Sequence, residues 1–75
     1  MGHGVHAQDL PGIGRRYDLD LGSATQRVSV VVRTDHSRDL YVFTSRSAEP
    51  TAAIELTEEQ ARKLAALLTG TFYED

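Results

Sequence analysis

From Arg16 onward, apolar and polar residues alternate with a period of two. In Tyr17-Asp18-Leu19-Asp20-Leu21 the apolar side chains point one way and the acids the other, as in a strand with one buried face. "GSAT" (residues 22–25) predicts a turn, and "QRVSVVVR" (26–33) a second strand rich in β-branched valine. "TDHS" (34–37) reads as the next turn and "DLYVF" (39–43) as a third strand. A polar loop, "TSRSAEP", closes at Pro50, after which residues 53–56 predict a short fourth strand at an edge.

The period then changes to that of a helix. Thr57 followed by Gln60 is a capping box, and Glu58 and Glu59 sit at the positive end of the helix dipole. Ala61, Leu64, Ala65 and Leu68 recur at helical spacing, and Gly70 stands where a helix ends. Beyond it "TFYED" is apolar, then acidic. Residues 1–9 carry Gly2 and Gly4 without periodicity and predict a flexible tail. The expected fold is α+β: a small four-stranded, mainly antiparallel meander with one C-terminal helix packed on one face. Residues 10–73 form its single domain, and residues 74–75 begin a linker or mark a truncated end.

Turn lengths predict the register. A four-residue "GSAT" loop sets Leu19 opposite Val28 and Tyr17 opposite Val30. A two-residue turn at Asp35-His36 sets Val30 opposite Tyr41 and Val28 opposite Phe43. Both pairings gather Tyr17, Leu19, Leu21, Val28, Val30 and Val32 with Tyr41 and Phe43 on the face the helix would cover. The opposite face holds Asp18, Asp20, Ser29 and Arg33, but also Val31, Leu40 and Val42. Those three are the candidate interaction residues, because adjacent apolar side chains on an open sheet mark a contact surface. Covering them with a second copy predicts a homodimer.

Composition narrows the function. With no cysteine there is neither a disulfide framework nor a thiolate metal site, which fits a reducing cytoplasm. No apolar run approaches the ~20 residues of a membrane span, so no direct membrane insertion is expected. The net charge of −3 argues against a general affinity for nucleic acid.

The stretch "LPGIGRR" (10–16) matches the hairpin of a helix-hairpin-helix DNA-binding element, yet a strand follows it and no helix precedes it. Its glycines read instead as a sharp turn into the first strand. His3 and His6 lack a carboxylate partner at fixed spacing and read as solvated. Asp35-His36 reads as a turn, and Asp18 with Asp20 as the polar half of a strand. Arg15, Arg16, Arg38 and Arg46 are too dispersed for a phosphate track. No catalytic constellation, cofactor motif or metal-ligand set emerges, so a binding module is expected and an enzyme is not.

Taken in order, "LPGIGRRYDL", "VSVVVRTDHSRDLYVF" and "IELTEEQARKLAALLTGTFY" resemble the N-terminal domain of KhtT-type regulatory subunits of bacterial cation/proton antiporters. The resemblance covers residues 10–73, and His36 replaces the turn glycine usual in that family. It implies a cytoplasmic regulatory domain, peripheral at the inner membrane face through a potassium/proton antiporter partner. In that family a TrkA-C-like domain, associated with cyclic dinucleotides, follows. The resemblance therefore implies a piece cut at the domain boundary or a shortened homologue. The alternative is a freestanding small dimeric protein unrelated to transport, with DNA binding through "LPGIGRR" third.

Overall fold

The computed structural model describes residues 5–23 and 25–71. It is an antiparallel sheet of five strands in meander order followed by one helix: β1 Val5–Leu10, β2 Gly14–Ser23, β3 Gln26–Arg33, β4 Arg38–Phe43, β5 Ala52–Leu56 and α1 Glu58–Thr69. The expectation of four strands is corrected to five. The added strand is β1, within the stretch read as a flexible tail, and it pairs with β2 from Val5↔Leu19 to Leu10↔Gly14. Its alternation is faint because the side chains sharing its apolar face are Val5, Ala7 and Asp9.

The "LPGIG" stretch is the tip of the β1–β2 hairpin. Ile13 N–H donates to the Leu10 carbonyl at 2.9 Å across Pro11-Gly12, and Gly12 has φ +79°, the type II pattern with proline then glycine. Gly14 has φ +153°, and a Cβ there would lie 1.9 Å from the Val32 carbonyl oxygen. Only glycine fits. Thr34 N–H donates to the Ile13 carbonyl at 2.9 Å and ties this tip to the end of β3.

Between β2 and β3 the expected register holds, with Tyr17 opposite Val30 and Leu19 opposite Val28, but the expected four-residue loop at 22–25 is corrected, since Gly22 and Ser23 belong to β2. An irregularity between Asp20 and Ser23 lets the hairpin continue to Ser23↔Gln26. Between β3 and β4 the expected register is off by one: Val30 faces Leu40 and Val28 faces Val42. The turn has three residues rather than two. His36 N–H donates to the Arg33 carbonyl, and Arg33 N–H to the Ser37 carbonyl, both at 3.0 Å. His36 itself is left-handed at φ +75°. This is a type I turn closed by a left-handed residue, and it rotates β4 by one position.

The β5 strand lies at the sheet edge, as expected, and Thr57 is the sole residue between it and α1. The capping box forms: Gln60 N–H donates to Thr57 Oγ1 at 3.1 Å, and Thr57 N–H to Gln60 Oε1 at 2.9 Å. At the far end Gly70 is left-handed, and Thr71 N–H donates to the Ala66 carbonyl at 2.9 Å. No residue of α1 is fully buried. The helix overhangs the sheet face that carries Val28 and Val30 without closing on it.

Candidate docking face

The one-residue shift of β4 decides what each side of the sheet carries. One side combines Arg16, Asp18, Ser29, Val31, Asp39 and Phe43. The Ser29 hydroxyl donates to Asp18, whose carboxylate also accepts from Arg16 Nε at 2.9 Å. Arg16 Nη2 lies 3.3 Å from Ser29 Oγ and completes a triangle. Burial works to raise the Asp18 carboxyl, but the Ser29 and Arg16 hydrogen bonds and the Arg16 charge outweigh it. Asp18 is held below the usual carboxylate range.

Alongside, Arg33 Nε donates to Asp39 at 2.7 Å, and this contact pushes the guanidinium further up. Arg27 lies 4.2 Å above the Phe43 ring and donates to the Ser45 and Ser47 carbonyls, drawing the following loop over it. Long polar side chains thus bury Val31 and Phe43, the most enclosed apolar residues of the described chain, beneath a satisfied polar layer. No buried side-chain polar atom among the described residues lacks a partner. This side is closed.

The other side is apolar and open. Leu19 of β2, Val28 and Val30 of β3, Leu40 and Val42 of β4 and Leu56 of β5 form a floor. The stripe of Ala61, Leu64, Ala65 and Leu68 forms a wall above it. Between them lies a groove of about 520 Å³, with Arg38 as the single charged residue among the described residues that line it. Arg38 donates to the His36 and Ser37 carbonyls and stands 4.0 Å from Glu58. The floor continues toward the edges as Tyr17, Val5 and Ile54, all largely exposed.

The structure divides the three expected interaction residues. Leu40 and Val42 lie in the open groove, on the side of α1, whereas Val31 is sealed under the polar layer on the opposite side. Tyr41 and Phe43, expected under the helix, move to the polar side with Val31. The cause is the left-handed turn at His36. The stripe of Ala61, Leu64, Ala65 and Leu68 lines the groove as its helical spacing implied, whereas Leu56, which completes the floor, carried no separate signal. A three-residue turn placing His36 where the resembled family has glycine would have revealed the shift.

The remaining candidates are structural parts. Asp35 accepts from Ser37 N–H at 2.9 Å and from its hydroxyl at 2.6 Å, and these bonds lower its carboxyl. His36 Nδ1 lies 4.0 Å from Glu58. Arg15 pairs with Asp9 at 2.7 Å, so the "LPGIGRR" cations point to different partners on two sides of the sheet. His3 and the apolar pair after Thr71 lie outside the described residues. Among the described residues no three His, Asp or Glu side chains converge as for a metal, and no helix is long and apolar enough to cross a membrane. What the geometry offers is a shaped apolar surface for docking.

The family model described as "K(+)/H(+) antiporter subunit KhtT, N-terminal domain" matches residues 3–72. The K(+)/H(+) antiporter subunit KhtT of Bacillus subtilis (strain 168) is 30% identical over 71 residues, covering 93% of this chain and 42% of that protein. An uncharacterized protein of the same organism, YrvC, is 28% identical over 71 residues with the same coverage. The chain therefore spans less than half the length of the curated relatives it matches.

Proposed function

The chain belongs to the family of KhtT N-terminal domains, and from that premise we propose that it is a non-catalytic regulatory and interaction module of a potassium/proton antiporter. In this reading it works in the cytoplasm as a homodimer, held at the inner membrane face through the transporter and not by insertion. The observation that carries it is the open apolar face, with Leu19, Val28, Val30, Leu40 and Val42 left partly exposed beside a helix that does not close over them. Soluble domains keep such surface for a partner. Regulation then follows from binding: a docked module shifts the transporter toward whichever conformation presents the better-fitting surface.

The test is binding and transport together. Vesicles containing a potassium/proton antiporter of the kind served by the KhtT relative should retain the chain on flotation. Addition of the chain should also change potassium-driven proton exchange. Leu19→Glu, on the partly exposed floor, should abolish both while leaving the circular dichroism unchanged. Equal retention on protein-free vesicles, or exchange indifferent to the chain, would overturn the proposal.

A further inference from the structure

We propose that the groove between the sheet and α1 binds a free single-chain amphiphilic anion, a medium-chain carboxylate whose head meets Arg38 and whose tail lies along the sheet. The inference stands apart from the docking reading above, since it concerns what the chain binds by itself.

Charge gives the first reason. Arg38 opens β4, and its side chain is only 22% exposed. Of its guanidinium nitrogens Nη1 alone donates, to the His36 and Ser37 carbonyls. Nη2 stands 4.0 Å from the Glu58 carboxylate, beyond hydrogen-bonding reach, and among the described residues nothing accepts from it or from Nε. Glu58 is itself shared. Its carboxylate also lies 3.6 Å from Arg62 Nη2 and 4.0 Å from His36 Nδ1. Two guanidiniums to one carboxylate leave this end of the groove with a net positive charge. Nε and Nη2 form one edge of the guanidinium fork, the edge that takes a carboxylate through two parallel hydrogen bonds.

Shape gives the second reason. Apart from Arg38 the described lining is apolar, and a groove of about 520 Å³ falls among small-molecule sites, roughly 300–1,000 Å³. Arg38 lies at the end where α1 begins, beside Glu58. From there the slot runs about 10 Å along α1, from Ala61 to Leu68, and about 13 Å along β4 to Val42. A charge at one end and aliphatic side chains along the remainder outline a fatty acid of medium length. A bilayer lipid, with two longer chains, exceeds that length. A purely apolar ligand would strip water from the free edge of the guanidinium and return no partner. Once bound, the tail covers Val28, Leu40 and Val42, so the ligand and any protein docked there exclude one another.

Calorimetric titration of the purified chain with decanoate, kept below its micelle concentration, tests this. Saturable binding of one decanoate per chain is expected, weakening as salt rises. Decanol has the same tail and no charge, and should bind roughly tenfold more weakly or worse. Arg38→Gln should weaken decanoate roughly tenfold and leave decanol unchanged, a pattern that loss of the fold would not give. Ala65→Phe, which fills the slot from an exposed helix position, should abolish both with the circular dichroism unchanged. Absence of saturable binding, as when a protein surface already covers the groove, overturns the inference. So does decanol binding as tightly as decanoate, or decanoate binding indifferent to both substitutions. Retention of the chain on fatty-acid-free vesicles of anionic phospholipid, lost in Arg38→Gln, would assign the charge to a membrane surface and overturn it as well. The two readings fail separately: failure here leaves the regulatory module standing, and exchange indifferent to the chain leaves the carboxylate site standing.

Discussion

Two side chains and one missing side chain set the local tolerances of this fold. Gly14 is the missing one. With a Cβ position 1.9 Å from the Val32 carbonyl oxygen and φ +153°, even alanine forces two strands apart. Gly14→Ala should cost about 3 kcal/mol or more in urea unfolding, most of the stability of a domain this small. A midpoint close to the parent's would show that the hairpin tip absorbs the group. Asp18 and Ser29 are the pair. The Asp18 carboxyl is lowered in the folded chain, so its ionisation stabilises the fold fully above the unfolded value near pH 4 (about 3.9), and this contribution is lost as pH falls through the folded value. Asp18→Asn should therefore cost about 1 kcal/mol at neutral pH, a modest sum for a partly exposed group, and the gap should close in acid. Thermal midpoints of both proteins across that range measure it. Parallel curves would mean that Asp18 is not the titrating group.

At the scale of elements, the turns decide more than the strands do. Leu40, Tyr41, Val42 and Phe43 are four consecutive apolar residues, so either register of β4 yields a plausible buried face and alternation alone cannot choose. The choice belongs to His36, whose φ of +75° makes a three-residue turn out of a sequence that reads as two. Histidine tolerates that conformation better than most residues but lacks glycine's freedom. His36→Gly should raise stability by roughly 0.5–1 kcal/mol without altering the register, readable as a higher denaturant midpoint with unchanged slope. Destabilisation would mean that the imidazole near Glu58 contributes more than the strained backbone costs. The register between β2 and β3 was legible, Tyr17↔Val30 and Leu19↔Val28, although the four-residue loop from which it was read is shorter: β2 runs on through Ser23, and the irregularity between Asp20 and Ser23 takes up the difference. The capping box and Gly70 marked both ends of α1, since caps are local chemistry. The β1 strand was not legible because its apolar-side residue Asp9 is an acid, held there by Arg15 across the ladder.

Over the whole molecule the two sides of the sheet exchange the roles that hydrophobicity assigns them. The polar side contains the enclosed residues, sealed by arginine stems, and the apolar side lies open under an overhanging helix. Alternation revealed which residues of β2 and β3 share a side, but neither the side that each residue of β4 takes nor which side is sealed, because the first depends on the turn at His36 and the second on where long side chains fold down. The single-residue link at Thr57 has a mechanical consequence. Any load on α1 enters the sheet at Leu56 and reaches first the Leu56↔Arg38 pair, then Glu55↔Asp39, then Ile54↔Leu40. Such a load peels an edge strand one rung at a time and does not shear all its bonds together, so α1 and β5 yield at low force while the β2–β3–β4 centre stays paired. The fold behaves as a stiff plate with a tear-strip along one margin.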